Sequence, residues 1–330
     1  MYAGMGDNRR LVWVIVVVTV LFAAIDAAWL PFSTVSLDPR NLGGYLTSAA
    51  VLLAAYLFGK LILYRLRDDT SRGADRLRWA AKSLMTLVPV LAIFTALGCA
   101  AGIFSYLASA TAAPLIDGHL AAIDAALGFH WPSLLEKANG TPVLATALVI
   151  AYHSFGPQIV GLTLVYSAVH RVDRLLEFLA LLAVSSAFTA ALMALFPTAG
   201  AYAYFQPASE AFEAFTAKAG MWHYADLLKL RSGEPFNLLV WEAQGLVTFP
   251  SYHTVVAIMI VYSLRRVPHV VGPAAFLNAA LIVGTMPEGG HYLTDVIAGG
   301  MVAVVSILVI RAITAPGQER YEPEQTPTPS

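Results

Sequence analysis

Phe249-Pro250-Ser251-Tyr252-His253 opens one apolar run and Gly290-His291-Tyr292-Leu293-Thr294-Asp295 opens another, so the chain twice sets a histidine at the mouth of a hydrophobic helix. A bilayer span has no inexpensive use for a titratable ring, and two such openings separated by one out-and-back excursion point to a shared site. Asp295 stands four residues after His291, one helical turn on and on the same face, where a carboxylate can hold and polarise an imidazole. The run from Ser251 to Leu264 is about 21 Å long as a helix, against a hydrocarbon core of about 30 Å. With Arg265 at the cytoplasmic face, His253 is therefore recessed near the level of lipid phosphates.

The rest of the chain reads as membrane protein. Hydrophobic residues make up 58% and charged residues 12%, the mean hydropathy is +0.67, and an ordinary soluble domain carries roughly 25% charged residues. The single Cys99 permits no internal disulfide. A net charge of -1 with no basic block argues against nucleic acid as a partner. Apolar runs near 11–32, 44–64, 83–107, 142–168, 175–196, 251–264, 271–286 and 291–313 predict an all-α polytopic protein of eight transmembrane helices. The first run is longer than a signal-peptide core and reads as a retained span.

Basic residues test that count. Arg9, Arg10, Arg65, Arg67, Arg72, Arg76, Arg78, Lys82, Arg171, Arg174, Arg265 and Arg266 all fall in alternate loops. By the positive-inside rule both termini are cytoplasmic and the two histidine openings face the periplasm or exterior, as in a bacterial inner membrane. Residues 108–141, with Trp131, Pro132 and two Asp, read as a stretch lying along the outer interface. The Pro- and Glu-rich tail 314–330 reads as a disordered cytoplasmic end. The domains expected are two N-terminal helices and a basic loop (1–82), a six-helix core (83–313), and the tail.

The residue types suggest phosphoryl chemistry. Pro250 and Ser251 make a natural helix opening, and Gly289 and Gly290 let backbone approach a ligand closely. Two helix N-termini facing each other predict a phosphate cradle. His291, oriented by Asp295 on one ring nitrogen, presents the other as nucleophile or base, and His253 protonates the leaving alcohol. With histidine in both roles, neither a metal nor another cofactor is expected.

These openings resemble the second and third motifs of the type-2 phosphatidic acid phosphatase superfamily, written P-S-x-H and S-R-x5-H-x3-D. Gln244-Gly245-Leu246-Val247-Thr248-Phe249-Pro250-Ser251-Tyr252-His253-Thr254 and the stretch Thr285 to Gly299 look nearest to the inositolphosphorylceramide synthase-like branch and its bacterial relatives. The resemblance spans about residues 83–313. It implies a metal-independent reaction in which His291 becomes phosphohistidine, Asp295 orients it, His253 protonates the leaving group, and Ser251 helps hold phosphate. The first motif, K-x6-R-P, is absent at its spacing, and Lys229 and Arg231 are the nearest basic replacements. Gly284 and Thr285 occupy the Ser-Arg positions of the third motif, a departure that fits phosphotransferases better than plain phosphatases.

Several further residues are candidates for substrate contact. They are Tyr252, Gly290, Thr285, and His153 with Gln158, where Tyr152-His153-Ser154 and Pro157 interrupt the fourth span. Asp26 and Lys60 are expected to pair or snorkel. Tyr202, Tyr204, Phe205, Trp222, His223 and Tyr224 read as an interfacial belt or a roof, and Glu242 and Glu288 flank the motifs. The sequence thus suggests an enzyme acting on a lipid phosphate at the outer leaflet, with transfer to water or to an acceptor lipid or polyol. Two competing readings are a histidine-ligated haem or metal transport protein and a non-catalytic lipid-phosphate binder.

Overall fold

Long apolar runs become long helices wherever nothing polar interrupts them. The computed structural model describes residues 3–216 and 218–315. Its helices are α1 (Ala3–Trp29), α2 (Arg40–Arg65), α3 (Arg72–Ser109), α4 (Asp117–Ala126), α5 (Trp131–Asn139), α6 (Pro142–His153), α7 (Phe155–Ala168), α8 (Val172–Leu195), α9 (Ala201–Phe205), α10 (Lys218–Arg231), α11 (Tyr252–Ser263), α12 (Pro268–Gly284) and α13 (Leu293–Thr314). Five of the spans, Asn8–Phe32, Arg40–Arg65, Arg72–Ser109, Val172–Leu195 and Leu293–Thr314, are long and apolar enough to cross a membrane. A sixth is the pair α6 and α7 taken together, bent by 44° at Ser154 inside the predicted interruption. Of the eight predicted spans, the remaining two correspond to α11, with 12 residues, and α12, with 17, which are too short to cross on length alone.

Two expectations shift at the N-terminal side. Ser71 caps α3, its hydroxyl accepting from Ala74 N, so the helix begins at Arg72 and the expected 82/83 boundary falls inside it. The all-α expectation also gains a short parallel strand pair, β1 (Val35–Leu37) with β2 (Phe236–Leu238), in the register Val35↔Phe236. Asn41 donates to Leu238 O at 2.8 Å and accepts from Val240 N at 2.9 Å, and Asn237 donates to Asp38 Oδ2 at 2.8 Å. The hydrogen-bonded Arg40 guanidinium holds the Asp38 carboxyl down to about 2. These bonds tie the α1–α2 connection to the segment just ahead of α11. The tail lies outside the described residues from 316 onward.

The core is built from α1, α3, α7, α8, α11 and α13 around Phe178, Leu181, Val255, Met259 and Ala303. The α8 helix is buried over most of its length and α2 almost nowhere, so α2 is a peripheral wall. Among the described residues the carboxyl of Asp26 is buried without a hydrogen-bond partner, while Lys60 is exposed and its Nζ lies 5.4 Å from the Tyr56 ring. Of the two outcomes expected for Asp26 and Lys60, pairing or snorkelling, no ion pair joins them among the described residues. Arg10 donates to Ile313 O at 3.0 Å, which places the start of α1 beside the end of α13. The N-termini of α11 and α13 lie at the opposite end of the bundle.

Candidate active site

Three local contacts bring the two histidine openings together. Ser251 N donates to Asp295 O at 3.0 Å. A Cβ on Gly299 would stand 2.5 Å from Ser251 O, so only glycine lets α13 press this closely on the start of α11. Asp295, in the first turn of α13, accepts from Tyr292 N at 2.9 Å on the same Oδ2 that meets His291 Nδ1 at 3.2 Å. One carboxylate therefore caps its own helix and fixes the imidazole.

The His253 and His291 ring centroids are 6.3 Å apart at 61°. His291 is buried, its Nδ1 is tied to Asp295, and its Nε2 makes no hydrogen bond among the described residues. His253 is wedged between Tyr152, stacked at 4.6 Å, and Phe155, at 4.3 Å, and neither of its ring nitrogens bonds to a described residue. His291 Nε2 and both ring nitrogens of His253 are thus left unbonded to described residues on rings that lie close together.

Beside them stands a second histidine–carboxylate pair. His153 Nε2 meets Glu288 Oε1 at 2.9 Å, and the wholly buried Glu288 also accepts from Thr216 N at 3.0 Å and from the Thr216 hydroxyl. His153 lies in the last turn of α6, just before the bend. The sequence marks both residues as polar but gives no sign that they meet across 135 positions.

The expected phosphate cradle at the two helix starts is partly filled by the protein itself. Asp124 reaches from α4 to accept from Leu293 N and Thr294 N, both at 2.9 Å, and from the Thr294 hydroxyl. Asp117, on the same face seven residues earlier, accepts from Ala199 N and Gly200 N at 2.9 Å and from Tyr292 OH at 3.1 Å. The start of α13 is therefore capped by carboxylates. Within 108–141, the stretch expected along the outer interface, Asp117, Asp124, Trp131 and Leu135 are buried against the rest of the fold, and Trp131 Nε1 donates to Met286 O at 3.1 Å. The i, i+7 spacing of the two aspartates in a charge-poor chain is the signal that could have found them.

The aromatic segment acts as a roof at Tyr202. Its ring packs 4.9 Å from Trp131 and its hydroxyl donates to Pro287 O. Burial and nearby Glu288 push the Tyr202 phenol up, so it stays a donor. Burial and Asp117 likewise raise the Tyr292 phenol. Gly290 sits at φ +69, and a Cβ there would lie 2.9 Å from the Tyr202 ring; a Cβ on Gly289 would lie 2.9 Å from Tyr152. The protein's own rings, Tyr202 and Tyr152, pack closely on these glycines.

The other candidates are engaged by the protein's own groups or lie farther off. Thr285 is buried, donates to Ile282 O at 2.7 Å and accepts from His291 N, closing the turn before α13. Ser251 Oγ accepts from Thr254 N and the Thr254 hydroxyl as a helix cap. Tyr252 OH points to Ser186, 3.2 Å away on α8. Gln158 bonds Ser154 and Asn278. Arg231 donates to Thr111 O and Ala113 O, and Lys229 Nζ lies 5.3 Å from the Phe236 ring. Gly220, near the start of α10, touches Gly290. Eleven residues of helix, about 16 Å, separate it from Arg231, so the two basic replacements do not join the histidines. Glu242 is exposed. Among the described residues no cluster of three or more His, Cys, Asp or Glu side chains is arranged to hold a metal ion.

Residues 118–309, more than half of the chain, match the PAP2 superfamily. The chain belongs to that superfamily. No curated protein and no solved structure matches it. The PAP2 region begins within α4 and ends within α13, so it contains both histidine–carboxylate pairs, His253 and Asp124, and Asp117 stands one residue ahead of it. Helices α1 to α3 precede it. PAP2 membership is consistent with a membrane lipid phosphatase or phosphotransferase.

Proposed function

We propose that this chain cleaves a lipid phosphoester or pyrophosphate through a phosphohistidine on His291. The observation that carries the reading is the closeness of the two rings, with centroids 6.3 Å apart, His291 Nδ1 held by Asp295 and His291 Nε2 not bonded to a described residue. Contacts of about 3 Å from each ring let one phosphoryl group touch both. Nε2 attacks phosphorus, the bond to the leaving oxygen breaks with its electron pair, and protonated His253 gives that oxygen a proton. Neutral His253 then takes a proton from water or an acceptor alcohol, whose oxygen attacks the phosphohistidine and frees His291.

A lipid fits the surroundings. Tyr252 and Phe155, which flank His253, also line a mostly apolar cavity of about 910 Å³ between α2, α3, α7 and α8, within the range of ligand pockets. Ser251 and His153 remain the nearest phosphate-contacting candidates, with Arg231 and Lys229 reaching it only after a rearrangement. Thr285 in place of an arginine favours transfer to an acceptor alcohol, as in the inositolphosphorylceramide synthase-like branch. In this reading α11 and α12 cross as short helices to make eight spans, both termini are cytoplasmic, and the histidine pair faces the exterior. A panel of lipid phosphates on purified protein, with and without chelator and beside His291→Ala, tests it. Chelator-insensitive turnover lost in the variant supports the proposal, and turnover near wild type in the variant sinks it. Two labelled substrates separate transfer, which yields a new lipid, from hydrolysis, which yields free phosphate.

A further inference from the structure

At the end of the bundle away from the histidines, the starts of α1 and α8 and the ends of α11 and α13 enclose a polar pocket of about 520 Å³. Its charged lining is Asp173, Arg174, Glu177, Arg265, Arg266 and Arg311. The acids are already engaged: Glu177 accepts from Arg174 at 2.8 Å and Arg265 at 2.6 Å, and Asp173 takes both arms of Arg171, at 2.9 and 2.7 Å. The side chains of Arg266 and Arg311 make no hydrogen bond or ion pair among the described residues, and both residues are exposed. The pocket therefore carries two guanidinium groups in excess, with their forks available to an oxyanion.

A second observation says which oxyanion. Ile297, Met301, Val304 and Leu308 are all exposed on α13 and follow one another by three or four residues, which is one face of the helix. Arg311 is the next position on that face. An apolar stripe running the length of a spanning helix and ending on an unengaged arginine matches a lipid, with chain along the stripe and phosphate at the guanidinium. We propose that this pocket binds the phosphate of an anionic phospholipid, in the leaflet opposite the one the histidine pair faces. The site is separate from the proposed chemistry and stands whether or not the chain turns over lipid phosphates.

The test uses the full-length chain carrying His291→Ala, delipidated in neutral detergent, with melting temperature read against added phosphatidylglycerol, phosphatidylcholine or inorganic phosphate. The expected result is stabilisation by phosphatidylglycerol beyond phosphatidylcholine, with half-saturation moved roughly tenfold or more by R266Q/R311Q and the melting temperature in phosphatidylcholine unchanged. An equal phosphatidylglycerol response in R266Q/R311Q overturns the proposal. So does inorganic phosphate matching the lipid, because free anion is then the ligand. Glu319, Glu322 and Glu324 follow in sequence. If the response emerges only in E319Q/E322Q/E324Q, the chain's own carboxylates are the occupant and the proposal fails; the same response as in the parent supports it.

Discussion

The two histidine–carboxylate pairs make an instructive contrast. His291 and Asp295 lie four residues apart on one helix start, both buried, with the carboxylate doubling as a cap. His153 and Glu288 are 135 residues apart, and the side chain of His153 is 52% exposed whereas that of Glu288 is wholly buried. The first pair is set by the capping turn, in which Asp295 of α13 reaches back to His291 and to Tyr292 N just ahead of the helix. The second joins the bend between α6 and α7 to the turn before α13, so it holds only while both stay in place. The contrast sets a pair closed by one helix cap beside a pair that depends on how distant segments pack.

The sharpest way to break this comparison is at the fixed pair. His291→Ala is expected to lower turnover of a lipid phosphate roughly 10⁵-fold or more, as loss of a nucleophile does, measured on purified protein. Asp295→Asn keeps the shape but removes the charge that sets the ring's tautomer, and a loss of roughly 10³- to 10⁴-fold is expected. Single-turnover kinetics should place that loss in the first chemical step. If Asp295→Asn is near wild type, the pair is a helix cap and nothing more.

The next prediction concerns the support common to both pairs. Asp124 is buried and accepts three bonds at the start of α13. Asp124→Ala is expected to destabilise the fold by about 3 kcal/mol, since it strands backbone donors that a charge now satisfies. Denaturation in detergent checks it. Glu288→Gln should have a smaller effect, lowering turnover roughly tenfold through misplacement of the bend. His153→Ala in a double-mutant cycle should be non-additive with it. Additive losses would show that the second pair does not act as a unit.

The smallest effect expected lies in the strand pair that ties α1 and α2 to the rest. The Asp38 carboxyl is held down to about 2 in the fold, against about 3.9 for a free aspartate. A depressed value means the bond stabilises above the free value and is lost as pH falls through the folded one. Amide exchange at Val35–Leu37, corrected for its intrinsic rate, should therefore rise between about pH 4 and pH 2. Asp38→Asn should show the raised exchange already at neutral pH.

Much of this was legible in order along the chain. The long apolar runs foretold the five long helices, the interruption at Tyr152-His153-Ser154 foretold the bend, and the spacing of His291 and Asp295 foretold their contact. What the sequence left out is how the start of α13 is satisfied and which residues of 108–141 are buried. Helix N-termini are visible in sequence, but what fills them is not: Asp124 and Asp117 arrive from a separate short helix.

The sequence by itself determined that this is a membrane protein of apolar helices with a histidine at two of their openings, because hydropathy, helical period and i, i+4 spacing are local properties. Only the tertiary structure decided that the openings meet, that His153 finds Glu288, that two aspartates cap the site, and that Arg231 stays away from it. Those outcomes depend on which distant backbone donors and carboxylates come within about 3 Å, a matter of packing on which neighbouring residues in the chain carry no information.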